Sequence, residues 1–319
     1  MDKVNQALVA MDPSGSYRVY LAITTKMAED ARKIHRPTPL ATAALGRVLT
    51  AAGIMGLMMK GERDKLTVQF KGDGPAGEIL ATASGAGEVK GYISNPDVDL
   101  PLRPDGRPDV GGAVGIGTLT VIKDFGLKEP YVGRIDLVSG EIADDLTMYF
   151  FISEQQSTSV ALGAKVDVDH SVETAGGMII QMLPDADPAA VDYLEAALEK
   201  INSITVLIEN ALAEARQEPD ANVKSSRELG KRAVQLLLDG IFGGMPEEYR
   251  AQFLEYRDIG WKCDCSEERL EQVLKSLGRK ELAEIIEEDG QAELTCQFCT
   301  KSYRFGREKL EQILMSMHR

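Results

Sequence analysis

The chain of 319 residues contains four cysteines, Cys263, Cys265, Cys296 and Cys299. They form two tight pairs, in "WKCDCSEERL" and "LTCQFCTKSYRF", and the rest of the chain carries no thiol. C-x-C and C-x-x-C are spacings at which one turn of backbone presents two sulfurs to one metal ion. Two such pairs can close a tetrahedron of four thiolates, for which zinc is the usual ion. One zinc per chain, held by Cys263, Cys265, Cys296 and Cys299, is therefore the expected cofactor. Unrelated buried cysteines do not pair in this way. A thiol oxidoreductase is a weaker reading, because its C-x-x-C opens a helix after a strand in a βαβ setting. Here the second pair follows two short helical patterns. A zinc-ribbon interaction protein without redox switching stays open at this point.

The energetics of such a unit set it apart. A domain of about 60 residues rarely draws more than about 3–5 kcal/mol from its core. A structural zinc contributes on the order of 10–16 kcal/mol of apparent binding free energy. The metal then decides whether the domain is folded. Thiolates are also the oxidisable form of cysteine, so oxidation of either pair removes ligands and unfolds the module.

Other apparent motifs carry no chemistry. "DFG" at Asp124–Gly126 stands without a Gly-rich ATP loop or a catalytic-loop motif and reads as a turn. "GGAVGIG" lacks the Gly-Lys-Ser/Thr ending of a phosphate loop. His35, His170 and His318 stand alone and read as surface or packed residues. No catalytic residue is assigned, and the chain is not expected to be an enzyme.

The elements that must position the cysteines follow from periodicity. Leu40–Met59 reads as a helix whose Gly46, Gly53 and Gly56 allow close approach to a sheet or helix. "KLTVQFKG" alternates as a half-buried strand. "GEILATAS" and "EVKGYIS" form a strand pair across a Gly-rich turn, and "GTLTVIKD" and "YVGRIDLVSG" form another. A helix over about Glu141–Ser153 precedes strand-like segments near Ser159–Val166 and Gly177–Leu183. Neighbouring strands without regular intervening helices exclude a doubly wound nucleotide-binding fold. From Asp187, a plausible N-cap before Pro188, one long amphipathic helix is expected through Gln217. A second helix follows over about Lys224–Ile241, and Asp185–Gly260 as a whole reads as a helical connector. After the first cysteines, Ser266 caps a helix with Leu270, Leu274 and Leu277. A second helix carries Leu282 and Ile286, and a final one Leu310 and Ile313. The fold class is thus an α/β (α+β) N-terminal core with a mainly antiparallel sheet, a helical linker and a small C-terminal zinc-binding domain. The expected boundaries are 1–184, 185–258 and 259–319.

Composition narrows the partners. Hydrophobic residues make up 44% and charged residues 27% of the chain, an ordinary globular mix. The net charge of −14 disfavours a nucleic-acid partner, which needs clustered Lys and Arg. The N-terminus has no continuous apolar h-region, and the run Leu49–Met59 is too short to span a bilayer. A cytoplasmic location without membrane contact is expected, and there thiols stay reduced by default.

Beyond these physical readings, the chain resembles the 33-kDa heat-shock family of redox-regulated bacterial holdase chaperones. The resemblance rests on Cys263-Asp264-Cys265-Ser266, on Ser276–Gly278, and on Cys296-Gln297-Phe298-Cys299 followed by Tyr303 and Phe305. It extends over "ALGRVLTAAGIM", "GDGPAGEILATASGAGEVKGYISNP", "GIGTLTVIKD" and "YFFISEQQST", and so over nearly the whole chain. Residues 214–233 read as an insertion in the connector. The resemblance implies a dormant, reduced, zinc-bound state and an active, oxidised state with disulfides Cys263–Cys265 and Cys296–Cys299. It further implies an unfolding linker, a homodimer in the active state, and unfolded or misfolded client proteins held without ATP. The ring closed by Cys263–Cys265 is small and strained, so that bond is expected to be the harder to form.

Overall fold

The computed structural model describes residues 3–217 and 225–317. His318 and the centre of the expected connector insertion lie outside the described residues. The chain divides into two compact units, Met1–Trp261 and Lys262–Arg319.

In chain order the first unit contains β1 (Gln6–Met11), β2 (Tyr17–Ile23), α1 (Thr25–His35), α2 (Pro39–Leu57), β3 (Lys65–Gly72), β4 (Glu78–Ser84), β5 (Glu88–Ile93) and α3 (Val110–Val114). It continues with β6 (Gly117–Asp124), β7 (Tyr131–Asp136), α4 (Ala143–Ser153), β8 (Thr158–Val166) and β9 (Val172–Met182). The connector supplies α5 (Pro188–Leu198), α6 (Ile204–Gln217), α7 (Ser226–Phe242), β10 (Gln252–Arg257) and β11 (Gly260–Trp261). The second unit holds α8 (Glu267–Ser276), α9 (Arg279–Glu288), β12 (Gln291–Thr295), β13 (Ser302–Gly306) and α10 (Arg307–Ser316).

Two sheets organise the first unit. One has five strands in the order β10-β1-β2-β9-β8, and the other six in the order β11-β5-β4-β3-β6-β7. Every pairing is antiparallel except that of β11 with β5. The expectation of a mainly antiparallel α/β core therefore holds. One core contains α2 together with Ala7, Val9, Tyr20 and Ala22 of the smaller sheet and Leu66, Val68, Phe70, Ile79 and Val121 of the larger. An all-round apolar helix belongs in such a place. By length and composition α2 would suffice to cross a membrane, but 94% of its apolar window is buried inside the fold. Burial, rather than shortness, accounts for its apolarity. Its small residues permit the close approach read from the sequence. A Cβ on Gly56 would lie 2.8 Å from the Ser84 carbonyl oxygen and 2.9 Å from Ala83 Cβ.

A second core covers the opposite face of the five-stranded sheet. Leu8, Val19, Leu21 and Ile180 from the strands meet Ile208, Leu212, Val234, Leu237 and Phe242 from α6 and α7. The apolar stripe of the connector is thus fully used as a cover for that sheet face. Tyr17 is buried there, donates to the Tyr249 carbonyl at 2.6 Å, and stacks on Phe242 with ring centroids 6.1 Å apart.

Two expectations for the connector need correction. The single helix expected over Asp187–Gln217 is two helices, α5 and α6, with a break over residues 199–203. Ser203 and Thr205 pair their hydroxyls at 2.9 Å beside the break. The sheet approaches closely there too, because a Cβ on Gly163 of β8 would lie 2.5 Å from Thr205 Cγ2. Nor is the stretch to Gly260 wholly helical. It ends in β10, an edge strand on β1, and is followed by β11 on β5. α7 begins one residue after its N-cap Ser225, whose side chain accepts from Glu228 N–H. The DFG turn is as expected, with Gly126 at φ +71° and its N–H donating to Asp124 Oδ1.

One buried carboxylate ties α1 to β9. Glu29, with 5% of its side chain exposed, pairs with Arg32 at 2.8 Å and Lys3 at 3.2 Å. It also accepts the Val172 N–H at 3.0 Å. The Arg32 hydrogen bond is the largest influence, and with the Val172 and Lys3 bonds it outweighs burial. Together they bring the carboxyl from an ordinary 4.5 down to about 2. A depressed folded-state value means stability that is present above 4.5 and lost as pH falls towards 2. Between those limits the wild type should lose about 2 kcal/mol more stability than Glu29→Gln, which has no charge to lose. Denaturant titrations at stepped pH test this, and parallel losses in both proteins would refute it. At Gly56 the expected outcome of Gly56→Ala is also a loss. Helix propensity favours alanine by about 1 kcal/mol, but the new methyl meets strand backbone that cannot rotate away. We expect a net cost of about 1–3 kcal/mol, seen as a lower urea midpoint with an unchanged slope.

Candidate metal centre

The second unit has a small core. Leu274, Leu282, Ile286, Phe305, Leu310 and Ile313 are its buried hydrophobic residues. The hairpin β12–β13 pairs Thr295 with Ser302, and its loop carries Cys296 and Cys299. Cys296 N–H donates to the Lys301 carbonyl at 3.0 Å, and Thr300 N–H to the Cys296 carbonyl at 2.8 Å. Thr300 takes φ +57°, so the chain doubles back tightly and turns both thiols to one side. Cys263 and Cys265 lie just before α8, which Ser266 caps by accepting the Arg269 N–H. Asp264 is hydrogen-bonded to Arg269, which ties the residue between the two thiols to the same helix.

These local devices bring all four sulfurs together. The Sγ atoms of Cys263, Cys265, Cys296 and Cys299 lie within 4.8 Å of one another. Cys265 Sγ is 3.3 Å from Cys299 Sγ, and Cys263 Sγ is 3.7 Å from Cys296 Sγ. A tetrahedron with metal–sulfur bonds of about 2.3 Å has sulfur–sulfur edges of about 3.8 Å. The donor set therefore fits a four-coordinate soft cation, of the kind that all-thiolate sites select. Cys296 is buried and the other three are half-buried.

The thiols are not equivalent. Burial pushes Cys263 and Cys299 up. Burial also opposes the Cys265 thiolate, but hydrogen bonds from Tyr303, Cys299, Cys263 and Cys296 together outweigh it and bring Cys265 down to about 7. The Tyr303 hydroxyl lies 3.3 Å from Cys265 Sγ and also 3.3 Å from the Cys265 carbonyl oxygen. The bond to Cys265, with burial, raises Tyr303 to about 12. Sequence reasoning named Tyr303 only as part of the family pattern. Tyr303 lies on the same face of β13 as buried Phe305, a period-two relation that could have marked its side of the strand, but nothing in the spacing points at Cys265.

Neither of the described histidines takes part in the cluster. His35 lies 3.1 Å from the Gly91 carbonyl oxygen and edge-on to Trp261, and His170 sits at φ +65° in the β8–β9 turn.

Comparison with known proteins bears on the whole chain. A family model described as Hsp33 protein matches residues 5–306. The "33 kDa chaperonin" of Alkaliphilus oremlandii is 46% identical over 301 residues, covering 94% of this chain and 93% of that one. The "33 kDa chaperonin" of Clostridioides difficile is 44% identical over 311 residues, covering 97% and 98%. The crystal structure of the 33 kDa chaperonin (heat shock protein 33 homolog) of Thermotoga maritima superposes with a TM-score of 0.81 at 32% identity, covering 98% of both chains. With the fold, the cysteine pattern and the sequence matched over nearly the whole length, the chain belongs to the Hsp33 family.

Proposed function

We propose that this chain is a redox-regulated, ATP-independent holdase, dormant when reduced and zinc-bound. The observation that carries the reading is the convergence of all four thiols in a unit whose hydrophobic cluster has six buried members among the described residues. Bound zinc would be held by Cys263, Cys265, Cys296 and Cys299, and its chemistry there is to hold four thiolates in one fold.

Activation is an oxidation of the thiolates themselves. In each pair, two thiolates give two electrons to an oxidant such as hydrogen peroxide. With two protons, its O–O bond breaks to give two waters, and one S–S bond forms. Proximity does not choose the pairs, since the short sulfur distances run between the two segments. The pairing adopted here, Cys263–Cys265 and Cys296–Cys299, is the one that the family resemblance implies. Either bond removes two ligands, and the second unit loses the interaction that holds it.

The consequence travels along the chain. Lys262 follows Trp261 directly, so β10 and β11 are the last anchored elements before the second unit. β11 has two residues, and β10 is an edge strand with Phe253 and Leu254 exposed. Local opening starts where support is least. When β10 and β11 loosen, the cover formed by α5–α7 follows. Both its apolar stripe and the sheet face beneath it then become available to unfolded clients. In this reading 1–184 is the chaperone core, 185–258 the gate and 259–319 the switch. The oxidised chain acts as a homodimer in the cytoplasm, with neither nucleic acid nor membrane as a partner.

Metal analysis of reduced protein should return one zinc per chain. A serine at any one of the four cysteines should weaken zinc retention against a chelator by at least about tenfold. In a light-scattering assay with an unfolded client, peroxide-treated protein should suppress aggregation and reduced protein should not. Equal suppression by both forms would leave a zinc-bound interaction protein without a switch.

A further inference from the structure

The face of the five-stranded sheet that α2 packs on is open beyond the end of that helix. Past Leu57, a hollow of about 460 Å³ is lined by Val9, Arg18, Tyr20, Met58, Lys60 and Leu254, with Arg257 and Glu255 at one side. Its floor is apolar, and Val9 and Tyr20 are each only 6% exposed. The cations around it are unevenly matched. Arg257 is satisfied, pairing with Glu255 at 3.2 Å and donating to the Gly85 carbonyl at 2.8 Å. Arg18 Nε is fully buried and has no hydrogen-bond partner among the described residues. Neither Arg18 nor Lys60 forms an ion pair among the described residues. In a chain with 50 acidic and 36 basic residues, two unmatched cations over one apolar floor run against the general balance.

Arg18 and Lys60 both line the hollow without a carboxylate partner among the described residues, and a carboxylate arriving from outside supplies the countercharge. An inorganic anion would leave the apolar floor unused, and a neutral apolar molecule would leave both cations unmatched. The volume lies within the range of small-molecule sites. We propose that this hollow binds a monoanionic amphiphile, a medium-chain carboxylate. Its head group lies at Arg18 and Lys60, and its chain lies over Tyr20, Leu57 and Leu254. The site contains none of the thiols, and because Leu254 lies in β10 it is tested in the reduced protein.

The test is calorimetric titration of the full-length, reduced, zinc-loaded protein with decanoate below its micelle concentration. Decanol and acetate are the comparison ligands. Saturable binding of one decanoate per chain is expected, with decanol and acetate each at least about tenfold weaker. Arg18→Gln and Lys60→Gln should each weaken decanoate by about tenfold. Lys60 is exposed, so its substitution leaves the fold intact even if Arg18→Gln does not. Absence of saturable binding would overturn the proposal. So would affinity unchanged in Lys60→Gln, or decanol or acetate binding as tightly as decanoate.

Discussion

Four sulfurs within 4.8 Å of one another are the constraint on which the second unit depends. A unit of some 60 residues with so small a core draws at most about 3–5 kcal/mol from it, at or below the lower end of what a stable domain needs. A tetrahedral thiolate centre can supply the difference, because its binding free energy is folding free energy. The same sulfurs are the most oxidisable groups in the chain. In the proposed function the interaction that stabilises the unit is the one an oxidant would remove, so that stability and sensitivity would have a single chemical origin.

In the proposed function the connector turns that local event into a change of surface. Its helices are marginal alone, and most of their stability comes from packing on β1, β2 and β9. A cover that depends on tertiary support is suited to release. The rest of the first unit is built differently. α2 is buried against both sheets, Gly56 seats it against strand backbone, and Glu29 ties α1 to the start of β9. Loss of the cover would leave a folded platform, which a chaperone acting without ATP requires.

Much of this was legible in the sequence where side chains alternate or recur. β3 to β5 are half-buried strands on which period two is visible, and α2 is marked by its small and apolar residues. β1 and β2 escaped notice because nearly every residue in them is buried, so no alternation appears. The break between α5 and α6 was hidden because Ile201 and Ile204 keep the apolar rhythm across the turn. β10 is largely exposed and carries no core pattern, so it passed as connector. The metal centre was readable because each half is a local spacing. The hydroxyl of Tyr303 at Cys265 and the orphaned Arg18 Nε were not, since both arise only when distant strands are brought together.

Hydrogen exchange resolved along the chain tests the central claim most directly, comparing reduced zinc-loaded protein with the same protein after peroxide. The account predicts that amides in 262–317 lose protection first, that 187–258 follow, and that β3 to β6 and α2 stay protected. Equal protection of 187–258 before and after peroxide, while client binding switches on, would contradict it and require a client surface elsewhere on the molecule.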